Sequence, residues 1–133
     1  MSQEEIKKPT EFELEILKVL WRLGPSTARR VLEDMAARRV VAYTTVLKML
    51  QIMEEKGLVA VDRAERSHTF RAVLEREAVL DGMVGDLLDR VFDGAADEML
   101  VHLVRSRGLG AVEIKAFEKR IAELRKKEGG RRG

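Results

Sequence analysis

Tyr43-Thr44-Thr45-Val46-Leu47-Lys48-Met49-Leu50-Gln51-Ile52-Met53-Glu54-Glu55-Lys56-Gly57-Leu58-Val59-Ala60-Val61 is the stretch that decides the fold. From Tyr43 to Lys56, Val46, Leu47, Leu50 and Met53 recur at helical spacing and form one apolar face. Thr44, Thr45, Lys48 and Gln51 fall largely on the opposite side. Gly57 suits the left-handed residue that closes a helix, so the helix is expected to stop there. The period then switches. Leu58-Val59-Ala60-Val61 and His68-Thr69-Phe70-Arg71 are short strand-like runs around the polar tip Asp62 to Ser67, which predicts a small antiparallel hairpin.

Upstream, Thr10-Glu11-Phe12-Glu13 fits a capping box, in which hydroxyl and carboxylate satisfy each other's backbone donors. Phe12, Ile16, Val19, Leu20 and Leu23 follow at helical spacing until Gly24-Pro25, and Leu14, Leu17 and Trp21 widen the apolar face. Ser26 or Thr27 caps a second helix whose inward stripe is Val31, Leu32 and Met35. Val40-Val41-Ala42 has poor helix propensity and reads as the connection to the helix at Tyr43. Three helices followed by a hairpin is the order of a winged helix-turn-helix domain, expected over residues 1–74.

The composition changes after Leu74. Leu80, Val84, Leu87, Leu88 and Val91 mark one amphipathic helix, and Met99, Leu100, Leu103 and Val104 a second. Ile114, Phe117, Ile121 and Leu124 mark a third, with Gly94 and Gly108-Leu109-Gly110 as separators. A helical segment this short, residues 75–127, cannot bury enough apolar surface alone. A second copy would cover its faces, so a symmetric homodimer through Leu80, Val84, Leu87, Leu88, Val91, Leu100, Leu103, Ile114, Phe117, Ile121 and Leu124 is expected. The chain from Arg125 is expected to fray, with a disordered basic tail over 128–133. The fold class is mainly α, with one small β-hairpin.

Composition narrows the chemistry. The 133 residues are 45% hydrophobic and 36% charged, enough for one core under a densely charged surface. With 5% aromatics and two prolines, helices are favoured over a β-sandwich. The absence of cysteine excludes disulfides, thiolate metal sites and a cysteine nucleophile. No run is apolar enough to span a bilayer, and residues 1–10 lack the apolar core of a signal peptide, so the expected compartment is the cytoplasm, without a membrane partner. Net charge is only +2, but residues 18–71 carry eleven Lys and Arg against six Asp and Glu. Residues 76–98 carry two against seven, and residues 99–133 ten against four. An acidic block thus separates two basic ones, and a basic half can serve a polyanion.

No catalytic constellation emerges. His68 and His102 lie in different expected subdomains, and there is no G-x-S-x-G, P-loop or G-x-G-x-x-G. Asp86, Asp89 and Asp93 have the spacing of a solvated helix face, with nothing apolar around them to raise a pKa. Neither enzyme, cofactor nor metal site is expected. DNA has the better mechanical case. The first turns of a helix lying in the major groove meet the base edges, and here they carry Tyr43, Thr44, Thr45 and Lys48. The plainer readings are a Thr44 helix cap, a solvated Lys48, and a Tyr43 packed in the core with its hydroxyl at the surface. Arg63, Arg66 and His68 surround the hairpin tip, where a wing lies over the backbone or minor groove. Arg29 and Arg30, near the start of the second helix, can meet phosphates beside its positive dipole end. The competing reading is a winged-helix docking module for another protein, because fold alone does not fix function.

Several of these segments together resemble the penicillinase-repressor (BlaI/MecI) family of transcriptional regulators. They are Glu11-x-Glu13-Leu14-Glu15-Ile16-Leu17-Lys18-Val19-Leu20-Trp21, Gly24-Pro25, Ala42-Tyr43-Thr44-Thr45-Val46-Leu47, Glu55-Lys56-Gly57-Leu58-Val59 and Arg66-Ser67-His68-Thr69-Phe70-Arg71. The likeness spans about residues 9–124. It implies an N-terminal winged helix, C-terminal dimerisation and repression through a palindromic operator. By position, Tyr43, Thr44, Thr45 and Lys48 match the start of the family's recognition helix, and Arg63, Arg66 and His68 its wing. Antibiotic-responsive members are induced by cleavage of an Asn-Phe bond, whereas the matching stretch here is Val101-His102-Leu103-Val104. A copper-responsive branch ends in a cysteine cluster, which this chain lacks. The resemblance therefore implies a repressor but assigns it no inducing ligand or sensor.

Overall fold

The computed structural model describes residues 8–132; residues 1–7 and Gly133, the extremes of the expected first domain and tail, lie outside the described residues. Among these residues the elements run α1 (Glu11–Leu23), β1 (Ser26–Thr27), α2 (Ala28–Met35), α3 (Tyr43–Lys56), β2 (Val59–Asp62), β3 (Thr69–Ala72), α4 (Arg76–Val91), α5 (Ala96–Arg107) and α6 (Ala111–Arg132). The fold is mainly helical with one small antiparallel sheet, a winged helix-turn-helix followed by helices.

Local chemistry explains the helix ends. Thr10 Oγ1 accepts from the Glu13 N–H at 3.2 Å, and the Thr10 N–H donates to Glu13 Oε1 at 3.0 Å, completing the capping box. Thr27 caps α2 by accepting from the Arg30 N–H at 3.1 Å. Ser26, the other candidate cap, is instead a strand residue, and its hydroxyl donates to the Gly24 carbonyl at 2.8 Å. At the end of α3, Gly57 takes φ +83°, which lets the Leu58 N–H reach back to the Met53 carbonyl at 2.8 Å.

The sheet has three strands rather than the two of the expected hairpin, in the order β1-β3-β2 with β3 central. Ser26 pairs with Phe70 and Thr27 with Thr69, while Val61 faces Phe70 from the other side. A two-residue strand has no periodicity to read, so only coordinates reveal it. The core joins Ile16, Leu17, Val19 and Leu20 of α1, Val31 and Met35 of α2, and Val46, Leu50 and Met53 of α3 to Leu58, Val59 and Phe70 of the sheet region. Phe12, Trp21, Leu23, Leu32 and Leu47 are half-buried at its margin.

The chain divides into two compact units, Met1–Gly85 and Asp86–Gly133, with the division inside α4. Within the first unit the start of α4 is fastened down. Trp21 Nε1 donates to the Leu74 carbonyl at 3.0 Å, and Val79 is only 6% exposed. In the second unit none of the described side chains is fully buried. Phe92 and His102 face each other there at 5.6 Å between ring centres.

α6 continues to Arg132, through the segment from Arg125 that composition marks as a tail. Arg, Lys and Glu are good helix formers, and Gly129 and Gly130 cost only about 1 kcal/mol each, so a charged segment without proline can prolong an existing helix. No helix among the described residues is long and apolar enough to cross a membrane.

Candidate nucleic-acid interface

α3 separates its two faces cleanly. Val46, Leu50 and Met53 are buried in the core, whereas Tyr43, Thr44, Thr45, Lys48 and Gln51 are exposed. The four expected reading residues therefore share the solvent side of the helix's N-terminal half. Ala42 stands at the N-cap and no side chain caps the helix, which removes the plain reading of Thr44 as a cap. Tyr43 is 38% exposed and outside the core cluster, so it is not a core residue either. A helix start without a side-chain cap leaves backbone donors directed outward, in the arrangement that suits a phosphate.

Beside this helix start lies an open cleft of about 470 Å³. Arg29 from α2, Tyr43, Leu47 and Gln51 from α3, and Arg66, Ser67 and His68 from the β2–β3 loop line it, with Thr27 and Phe70. The Arg29 guanidinium lies 5.0 Å over the centre of the Tyr43 ring, a cation–π contact that holds the cation at the cleft edge. The structure thus brings Arg29, Tyr43, Arg66 and His68 together. Thr44, Thr45 and Lys48 stand on the adjoining exposed surface of α3, and Arg30 is exposed on α2 but does not line the cleft.

Arg63 is placed differently from Arg66 and His68 of the same loop. Its Nη2 pairs with Glu54 Oε1 of α3 at 2.9 Å, so it ties the wing to the C-terminal half of α3 instead of lining the cleft. Sequence reading missed Gln51 and Thr27 as cleft residues. Gln51 lies at i+3 from Lys48 and i+7 from Thr44, a signal already present in the helical period.

Two ion-pair groups hold the helices beneath this surface. Asp34 accepts from both Arg22 nitrogens at 2.8 and 2.9 Å and from Arg38 at 2.8 Å. The hydrogen bonds from Arg22 and then Arg38 hold its carboxyl far below the usual carboxylate range. They brace α1 against α2. Arg39 likewise bonds both Glu15 oxygens, at 3.1 and 3.0 Å, while lying 4.7 Å over the Phe12 ring. The basic pair Arg38 and Arg39 is thus engaged with α1 and the end of α2.

The second group is Glu13 and Lys56. Lys56 Nζ bonds both Glu13 oxygens, at 3.0 and 2.8 Å, joining the first turn of α1 to the last residue of α3. Glu13 is 1% exposed. Burial pushes its carboxyl up, but the Lys56 ammonium and the Thr10 backbone donor outweigh that and leave it below its ordinary value.

Comparison with known proteins fits this geometry. The family model described as penicillinase repressor matches residues 9–123. The chain is 37% identical over 123 residues to the transcriptional regulator BlaI of two Mycobacterium tuberculosis strains, CDC 1551 and H37Rv, covering 91% of this chain and 88% of each relative. Among solved structures, a MarR family protein from Bacillus stearothermophilus superposes with a TM-score of 0.54 at 19% identity, covering 96% of this chain and 81% of that one, a likeness of fold. With the model spanning nearly the whole chain, and α1, α3 and the wing all present in it, this chain belongs to the penicillinase-repressor family.

Proposed function

We propose that this DNA-binding transcriptional regulator is a repressor that reads a palindromic operator as a homodimer, one α3 in each of two successive major grooves. The observation that carries the reading is the solvent face of α3. Tyr43, Thr44, Thr45 and Lys48 line its uncapped N-terminal half, beside a cleft lined by the cations Arg29 and Arg66 and by His68. Threonine can bond a base edge or phosphate and offer its methyl to thymine; lysine reaches guanine or a phosphate. Arg29, Arg30, Arg66 and His68 supply backbone contacts, and Arg63 contributes by keeping the wing against α3. Catalysis, metal and cofactor have no part in this mechanism.

Dimerisation is supported by apolar surface that the chain leaves uncovered. Val84, Leu87 and Val91 of α4, Leu100 and Leu103 of α5, and Ile121 and Leu124 of α6 are all exposed, and Leu80, Leu88, Ile114 and Phe117 are half-buried. Side chains at helical spacing on three helices leave apolar faces that a second copy would cover. Two copies would then set the reading helices about 34 Å apart, one turn of duplex. Bound over a promoter in the cytoplasm, such a dimer excludes RNA polymerase. Any signal that parts the dimer breaks the linkage between half-sites and removes most of the affinity.

Selection of bound sequences from a random duplex pool, followed by titration at two salt concentrations, tests this reading. The expected result is a twofold-symmetric site whose affinity falls steeply with salt. Equal affinity for all sequences would contradict it.

A further inference from the structure

α4 begins fastened to the winged helix, through the Trp21–Leu74 hydrogen bond and the buried Val79. Just beyond that anchor stand Gly82 and Gly85, both within the helix. Nothing in the chain itself requires glycine at either place. Both keep a helical backbone, and a Cβ added at either would meet no atom within 4 Å. Glycine in a helix interior is nevertheless costly, because it frees the unfolded chain and lets the helix open locally. The division between the two compact units falls immediately after Gly85.

A fastened helix start, two sterically needless glycines and a unit division thus coincide within a few residues. We infer that Gly82 and Gly85 are positioning residues forming a hinge in α4. Through it each winged helix adjusts to its own half-site, so these glycines set how wide a range of half-site spacings the dimer accepts. The inference rests on the paired-operator reading above. It deepens that reading by assigning tolerance of spacing to a place in the chain.

The test uses the full chain and the Gly82→Ala/Gly85→Ala variant, with each single variant alongside. Hydrogen exchange is followed in the free protein, and affinity is measured for the selected operator and for versions with the half-sites moved by one base pair either way. The hinge predicts that amides over residues 82–89 exchange about fivefold more slowly per substitution. It also predicts that the affinity penalty for a one-base-pair shift grows by about fivefold or more, since the stiffened helix no longer shares the misfit. Unchanged exchange would overturn the hinge, and slower exchange with an unchanged spacing profile would overturn its role in operator choice. Sedimentation supplies the remaining outcome. If the variants become monomeric, the glycines serve close approach of the partner's helix and the inference is wrong. A natural chain that ignores paired half-sites would defeat the proposed function instead, while exchange in the free protein still decides the hinge.

Discussion

At the scale of single residues, the side chains proposed to read the duplex are not those that hold the fold. Thr45 and Lys48 stand on the exposed side of α3 and take no part in the core. Lys48→Ala should weaken binding to all duplexes alike and lower the salt slope by about one, the effect of leaving one phosphate unneutralised. Thr45→Ala should cost about 1 kcal/mol at one position in each half-site and relax the preference there, read by titrating single-base operator variants. Both are expected to melt like the natural chain. Glu13 should behave in the opposite way. Glu13→Gln leaves the Lys56 ammonium facing a neutral amide and is expected to cost about 2 kcal/mol in urea denaturation, below the range for fully buried pairs because Lys56 keeps contact with water. The pH dependence has a defined sign. Glu13 and Asp34 both have lowered folded-state pKa values, from ordinary values of 4.5 and 3.8, so their contribution is complete above those values and disappears on acidification. Stability measured between pH 7 and pH 3 should therefore fall at the acid end, less steeply in Glu13→Gln. The capping half of the Glu13 role is legible in the sequence because Thr10 lies three residues away. The Lys56 half is not, because 43 residues separate the partners and no local pattern links them.

At the scale of elements, legibility follows length and period. α3 runs from Tyr43 to Lys56 as its sequence predicts, because four apolar positions and a terminal glycine all point the same way. Gly57→Ala should cost about 1 kcal/mol, since a Cβ is disfavoured at φ +83°, and thermal melting reads it directly. β1 is hidden because its two residues look like the cap of α2, and one of them, Thr27, does serve as that cap. The wing is legible as a hairpin but the destination of its cations is not. Arg66 and His68 line the cleft while Arg63 turns to Glu54, a choice made by tertiary geometry among neighbouring polar residues of one loop. The end of α6 is ambiguous in sequence for a different reason. Its dense charge has the composition of a disordered tail, although Lys, Arg and Glu extend a helix at little cost.

At the scale of the whole molecule, the uncovered apolar side chains of α4, α5 and α6 matter most. Leu87 is 44% exposed in the single chain, and Leu87→Asp would put a carboxylate into the proposed interface between copies. Sedimentation should show the natural chain as a dimer and that variant as a monomer at the same concentration, with operator affinity reduced to that of one half-site. An unaltered dimer would place the interface elsewhere. Repression as proposed requires two α3 helices in successive major grooves. Methylation interference on the selected operator reads that placement, because guanine N7 lies in the major groove and adenine N3 in the minor. Two symmetric clusters of interfering guanines are expected, centred about ten base pairs apart. One cluster alone, or interference confined to adenine N3, would contradict paired major-groove entry.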